Sequence, residues 1–135
     1  MSDRATGPAA GRVAALAESQ YVLVTSYRKD GTGVGTPLWV VPDGDALAVW
    51  TPTESYKVKR MGRDPRVEVA PCTYGGSVTG EAATGRAELL DAAGTQRVRD
   101  AIKHKYGLVG WLTLTGSWLR RGYAGTIGIR ITLDA

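Results

Sequence analysis

The chain has 135 residues, with 17 Lys and Arg against 13 Asp and Glu, a formal net charge of +4 and 43% hydrophobic residues, which describes one domain with a modest core. Its pI near 9.4 implies affinity for anions without naming them, and its longest apolar runs, such as Val13 to Ala17 and Ala46 to Trp50, fall far below the roughly 18 residues of a membrane span. Cys72 is the only cysteine and His104 the only histidine, so an intrachain disulfide, a metal-ligand cluster and a Ser/His triad are not expected, and a reducing cytoplasm is.

Residues 1–10 read as a loose tail ahead of a single domain over 11–135, with no signal-peptide core. A short amphipathic helix over Val13 to Glu18 leads into a β-branched, aromatic strand from Tyr21 to Arg28. Lys29 to Gly33 carries the Asp-Gly of a hairpin, whose second strand runs from Val34 to Val41. Gly35 and Pro37 are odd in a central strand, because Pro cannot donate to a ladder and Gly marks a bulge or a close approach. Two readings stay open: a segment whose backbone meets a flat ligand over Gly35 to Leu38, or a plain edge strand. Pro42 to Asp45 turns into a third strand, Ala46 to Thr51, which brings Trp50 near Trp39.

Ser55 is a good N-cap, and Pro65 stops a helix at or before Asp64, so a helix is predicted from Tyr56 to Arg63 with Val58 and Met61 facing inward. Lys57, Lys59 and Arg60 crowd its first turn, where the macrodipole opposes cations by roughly 0.3–1 kcal/mol each. A phosphate held by free N–H groups, the Ser55 hydroxyl and those cations reverses that sign. A solvated basic helix face accounts for the composition equally well.

Arg66 to Tyr74 alternates as a fourth strand, and Gly75-Gly76 turns it into a long, bent strand from Ser77 to Leu90. Asp91 to Tyr106 is a helix ended by Gly107, with Lys103, His104 and Lys105 in its last turn, which makes His104 a surface residue. Leu108 to Leu119 reads as an apolar linker whose Trp111 and Trp118 need a cover. Ala124 to Leu133 is the last strand. About six strands in consecutive hairpins suggest a small, mainly β, antiparallel barrel with flanking helices, and the surplus apolar surface suggests a two-fold partner.

In order, T-P-L-W-V-V at 36 to 41, D-G-D-A-L-A-V-W-T at 43 to 51, S-Y-K-V-K-R at 55 to 60, D-P-R-V at 64 to 67 and A-P-C at 70 to 72 resemble the pyridoxamine 5'-phosphate oxidase-like split β-barrels, with a weaker echo in K-Y-G at 105 to 107. More narrowly, the chain is similar to their deazaflavin-dependent oxidoreductases of actinobacteria. The resemblance implies a six-stranded antiparallel split β-barrel of the FMN-binding-protein type, a homodimer, and cofactor sites at the subunit interface. The cofactor is expected to be the deazaflavin coenzyme F-420, with FMN the alternative. Its ring is implied along Thr36, Pro37, Leu38 and Trp39, beside Trp50 and Thr51, and its phosphate on Ser55, Lys57, Val58, Lys59 and Arg60. Gly76 and Ser77 are implied to approach the cofactor, and Trp118 to Arg121 to fold over it, with Arg63, Arg120 and Arg121 serving an acidic tail. Tyr56 and Asp64 depart from the pattern, which expects a small residue and an Asn.

The activity implied is hydride transfer from the reduced coenzyme to an electron-poor double bond of a small organic molecule, with no catalytic side chain and with Tyr74 or Tyr123 as guesses for a proton donor. A cofactor carrier without turnover is the alternative. A basic nucleic-acid-binding barrel is a second one, disfavoured because the cations gather at one helix start and are not interleaved with aromatics along a groove.

Overall fold

A computed structural model describes residues 8–121 and 125–134 of the chain. The elements run α1 (Pro8–Glu18), β1 (Tyr21–Tyr27), β2 (Gly33–Leu38), β3 (Val40–Asp43), β4 (Ala46–Pro52), α2 (Tyr56–Arg63), β5 (Arg66–Cys72), β6 (Ala83–Leu89), α3 (Ala92–Arg121) and β7 (Thr126–Leu133). The strands form one seven-stranded sheet in the order β2-β1-β5-β6-β7-β4-β3, and every neighbouring pair is antiparallel.

The two edges of that sheet are consecutive in the chain. β2 and β3 are separated only by Trp39, yet one pairs with β1 and the other with β4. A continuous segment can border both edges only if the sheet curls until the edges approach, which makes this a curled half-barrel. The segment from Val34 to Val41, expected as one strand, therefore changes partners at Trp39 and counts as two.

Strand alternation sorts the two faces. In β1, Val22, Val24 and Ser26 are buried, while Tyr21, Leu23, Thr25 and Tyr27 are half-exposed. Val22 and Val24 join Val40, Leu47, Val49, Val67, Val69, Ile129 and Ile131 in one interior cluster, to which α1 adds Val13 and Leu16 and α2 adds Val58 and Met61. Leu47, Ile129 and Ile131 are fully buried, each stabilising the fold by about 1.5–3 kcal/mol relative to exposure. α3 covers the other face, where Val98 and Ile102 pack with Val41 and Ala48, and Trp39, Trp50 and Tyr106 lean on them. Gly128 permits that approach: a Cβ there would lie 2.9 Å from Val98 Cγ2 and 3.2 Å from the Thr95 Cα.

Several expectations need correcting. The first helix starts at Pro8, where a residue without an N–H loses nothing, so residues 8–10 are not tail. The long strand from Ser77 shrinks to Ala83–Leu89; before it the chain meets the end of β5 only at an isolated Cys72–Val78 bridge, with the Thr79 N–H donating to the Pro71 carbonyl at 2.8 Å and Gly80 so close that a Cβ would lie 2.7 Å from Pro71 Cγ. Leu108 to Leu119 is no linker: the backbone re-enters a helix after a break at Gly107, whose φ of 60° and ψ of −136° are non-helical. His104 is exposed, as expected, but its neighbour Lys105 is half-buried. Residues 1–7 and Tyr123, and the side chains of Trp111, Trp118, Arg120 and Arg121, lie outside what the structure describes.

Candidate functional site: a cationic cradle at the start of α2

α2 begins as its sequence dictates. Ser55 is extended (φ −90°, ψ 154°), and its Oγ accepts from the Val58 N–H at 3.4 Å. The first turn contains no acidic residue, although the macrodipole favours one there. Val58 and Met61 anchor the helix on the barrel interior, so Val58 contributes packing and its side chain is not presented at the surface. Lys57 and Arg60, three apart, share a face; Lys59 turns elsewhere, its Nζ 5.6 Å from the centroid of the exposed Tyr56 ring.

Arg60 reaches across to β1. Its Nε donates to Ser26 Oγ at 2.7 Å, and Ser26 is only 1% exposed. Arg63 Nη2 donates to the Tyr27 carbonyl at 2.7 Å. Burial lowers the Arg60 pKa, and the positive charges of Arg28 and Arg63 lower it further. Burial likewise lowers the Lys57 pKa, with Arg60 as the second cause. Among the described residues no carboxylate pairs with Lys57 or Arg60; Asp30 acts on Arg28 and Asp64 on Arg63 only at longer range, Asp64 being held by Arg66 at 2.9 Å. Lys57 and Arg60 thus sit where desolvation and neighbouring cations both oppose their charge, with the exposed Arg28 and Arg63 close enough to Arg60 to add to it. Ser26 and Arg28 belong to this group, and the sequence reading missed them. The signal for Ser26 was a hydroxyl at an inward position of an otherwise apolar alternation.

β2 leads away from the cradle. Val34 stands opposite Ser26, Thr36 opposite Val24 and Leu38 opposite Val22, so at about 3.4 Å per residue the strand runs roughly 14 Å from the level of Ser26 to that of Leu38. Thr36 and Leu38 share the inward side with Val22 and Val24; Pro37 and Gly35 look outward beside Leu23. The outward side is narrow because Leu23 lies over Gly35, where a Cβ would meet its side chain at 3.0 Å. Gly76 takes a φ of 93°, and a Cβ on it would lie 3.5 Å from Pro37 Cγ, so this turn does approach β2. Ser77 is exposed and closes the turn, donating its N–H to Thr73 Oγ1 at 3.2 Å. Trp39 and Trp50 lean against α3, Trp39 stacking on Tyr106 at 4.4 Å and 12°. Thr51 is 1% exposed and opposite Ile127.

This arrangement has a donor set for one compact polyanion, and the strand leading to it carries two unengaged polar atoms, one on each face of the sheet. Trp50 Nε1 and Thr51 Oγ1 are buried and, among the described residues, have no partner; buried polar atoms in that state cost on the order of 1–3 kcal/mol unless something engages them. Both sit on the strand that runs into Ser55. The cations at α2 and the Ser55 cap therefore fit a phosphorylated ligand. Among the described residues no group of His, Cys, Asp and Glu could hold a metal ion, and no helix is long and apolar enough to cross a membrane.

A curled antiparallel half-barrel with flanking helices is the fold of the pyridoxamine 5'-phosphate oxidase-like split barrels. The model of the pyridoxamine 5'-phosphate oxidase family matches residues 12–120, and the chain belongs to that family. Solved structures agree in fold: a conserved hypothetical protein from Mycobacterium tuberculosis (TM-score 0.69, 20% identity, 93% of this chain and 80% of that one), an FAD-binding protein from Mesorhizobium loti (0.60, 22%, 93% and 88%) and an F-420 reductase (0.54, 18%, 90% and 92%). No curated protein gives a match.

Proposed function

We propose that this protein is an oxidoreductase that binds the reduced deazaflavin coenzyme F-420 and delivers hydride to an electron-poor double bond of a small organic molecule. The observation that carries the reading is the pair of half-buried cations at α2, Lys57 and Arg60, whose charge is opposed by burial and by other cations and is balanced by no carboxylate among the described residues, with the exposed Arg28 and Arg63 beside them. A phosphate there converts repulsion into charge-assisted hydrogen bonds, each contributing on the order of 1.5–3 kcal/mol. Ser55 and the first N–H groups of α2 add donors along the helix axis.

When bound, the coenzyme supplies the hydride; the protein binds, orients and excludes water. Thr36, Pro37, Leu38 and Trp39 offer the flat edge along which a ring lies, with Gly76 allowing close approach beside Pro37. Thr51, on the same face of β4 as the interior residues that α2 packs on, offers an unengaged O–H for a polar group between ring and phosphate, and Trp50 backs that strand from the α3 side. Lys59, held outward over Tyr56, and Arg63 face the direction of an acidic tail, which favours the deazaflavin over FMN. A second copy of the chain completes the site, since the outward side of β1 and β2 carries half-exposed Tyr21, Leu23 and Pro37 with exposed Tyr74 and Val78 at its margin. The expected location is the cytoplasm.

The test is a fluorescence titration of the purified protein with the deazaflavin coenzyme and, separately, with FMN, followed by turnover with a panel of enones and quinones. Tight deazaflavin binding, weaker FMN binding and coenzyme oxidation by at least one acceptor support the reading. Binding without oxidation across the panel makes the protein a carrier, and no binding of either cofactor refutes both.

A further inference from the structure

Two consecutive side chains of α3 are spent on backbone atoms far away in sequence. Lys105 Nζ lies 2.7 Å from the Ala17 carbonyl, 2.6 Å from that of Ser19 and 2.7 Å from that of Val40, so each ammonium proton has an acceptor. Tyr106 Oη accepts from the Val40 N–H at 3.0 Å and has its own proton within reach of the Gln20 carbonyl at 2.7 Å and the Val40 carbonyl at 3.1 Å. Its ring meanwhile stacks on Trp39.

These contacts meet at one place. β3 is an edge strand, and an edge leaves N–H and C=O groups facing away from its neighbour; at Val40 both are taken by Lys105 and Tyr106. The end of α1, the entry to β1 and the bend between β2 and β3 are thereby tied to a single point on α3. A surface lysine would gain nothing from this position. Burial lowers the Lys105 pKa, a cost that the three carbonyl contacts and the Tyr106 ring, 5.0 Å from Nζ, offset.

We propose that Lys105 and Tyr106 are positioning residues for the cofactor ring: they fix the bend at Trp39 and, through it, the path of β2 relative to the α2 cradle. The proposal rests on the ring and phosphate placement given under Proposed function. The cradle lies at the Ser26 end of the β1–β2 pair and the clamp beyond the Leu38 end, so loosening the clamp disturbs ring binding and spares anion binding.

The experiment uses Tyr106→Phe, which keeps the stacking ring and drops the hydroxyl, Lys105→Met, which keeps the stem and drops the donors, and Lys105→Arg as the conservative variant. For each, dissociation constants are measured for coenzyme F-420 and for inorganic phosphate, together with amide hydrogen exchange at Val40. Lys105→Met is expected to weaken coenzyme binding about tenfold and Tyr106→Phe several-fold, the scale of one or two lost hydrogen bonds. Phosphate affinity should stay within about twofold, Lys105→Arg should recover part of the loss, and Val40 exchange should accelerate in Tyr106→Phe. Coenzyme affinity unchanged in Tyr106→Phe while Val40 exchange accelerates overturns the proposal alone, as does equal weakening of both ligands. A wild-type protein that binds phosphate but not the coenzyme overturns the functional reading on which the proposal stands.

Discussion

Positive charge is handled in opposite ways at the two ends of this molecule. Beside α3, Arg97 donates to both carboxylate oxygens of Asp43 at 3.0 and 3.2 Å, and Arg130 lies 3.9 Å from Asp43 and 3.6 Å from Asp45; the Arg97 pKa is raised by its partner. At α2 the Arg60 pKa is lowered by burial and by other arginines. The same side chain is thus shifted up where the chain supplies a counter-ion and down where it does not. A net charge of +4 conceals that difference, and only the pairing exposes which cations await something from outside.

The comparison breaks first at the cradle. Arg60→Ala and Lys57→Ala are each expected to weaken coenzyme binding by about 1.5–3 kcal/mol, roughly 10- to 150-fold, the scale of a charge-assisted hydrogen bond, read by ring fluorescence. At the other end Gly128→Ala forces a methyl against Val98 and the Thr95 backbone and should lower unfolding free energy by about 1–3 kcal/mol in a urea titration. It should leave the affinity of the folded protein for phosphate alone.

A smaller effect comes from pH. The Lys57 pKa is lowered from 10.5 in the cofactor-free protein, and a bound anion raises it again, so binding takes up a proton between the two values. Coenzyme affinity should be flat below the lowered pKa and fall as pH rises through it. Stability of the cofactor-free protein should move the other way in that window, because the unfolded chain binds more protons there. Lys57→Met should abolish the affinity trend and reduce the stability trend to the part contributed by Lys105. Smallest of all, Asp43→Asn removes the ion pair of the exposed Arg97, leaving Arg130 its Asp45 contact, and should cost about 0–1 kcal/mol of stability, with no change in ligand binding.

The sequence carried the strand alternation, the Ser55 cap, the Gly107 break and the α2 cations, because each is a local matter of period, capping chemistry or a positive φ. It did not carry the partner change at Trp39. A single strand and two strands sharing one bend have the same residue pattern, and only the closure of the sheet separates them. Nor did it carry Lys105. In sequence that residue is a lysine in a last helical turn, where a solvated cation suits the dipole; its three carbonyl partners come from Ala17, Ser19 and Val40, brought to it by the fold. Trp39 and Trp50 were expected beside the ring, and the structure adds that both lean on α3, which no spacing announces.

The most direct test of the central claim compares coenzyme F-420 with its phosphate-free ring and polyol fragment, on the wild type and on Lys57→Ala/Arg60→Ala. If the unpaired cations exist to hold the phosphate, the wild type prefers the whole coenzyme by at least about 100-fold and the double variant by less than about tenfold. Equal affinity of the wild type for both ligands, or a preference that survives in the double variant, contradicts the account.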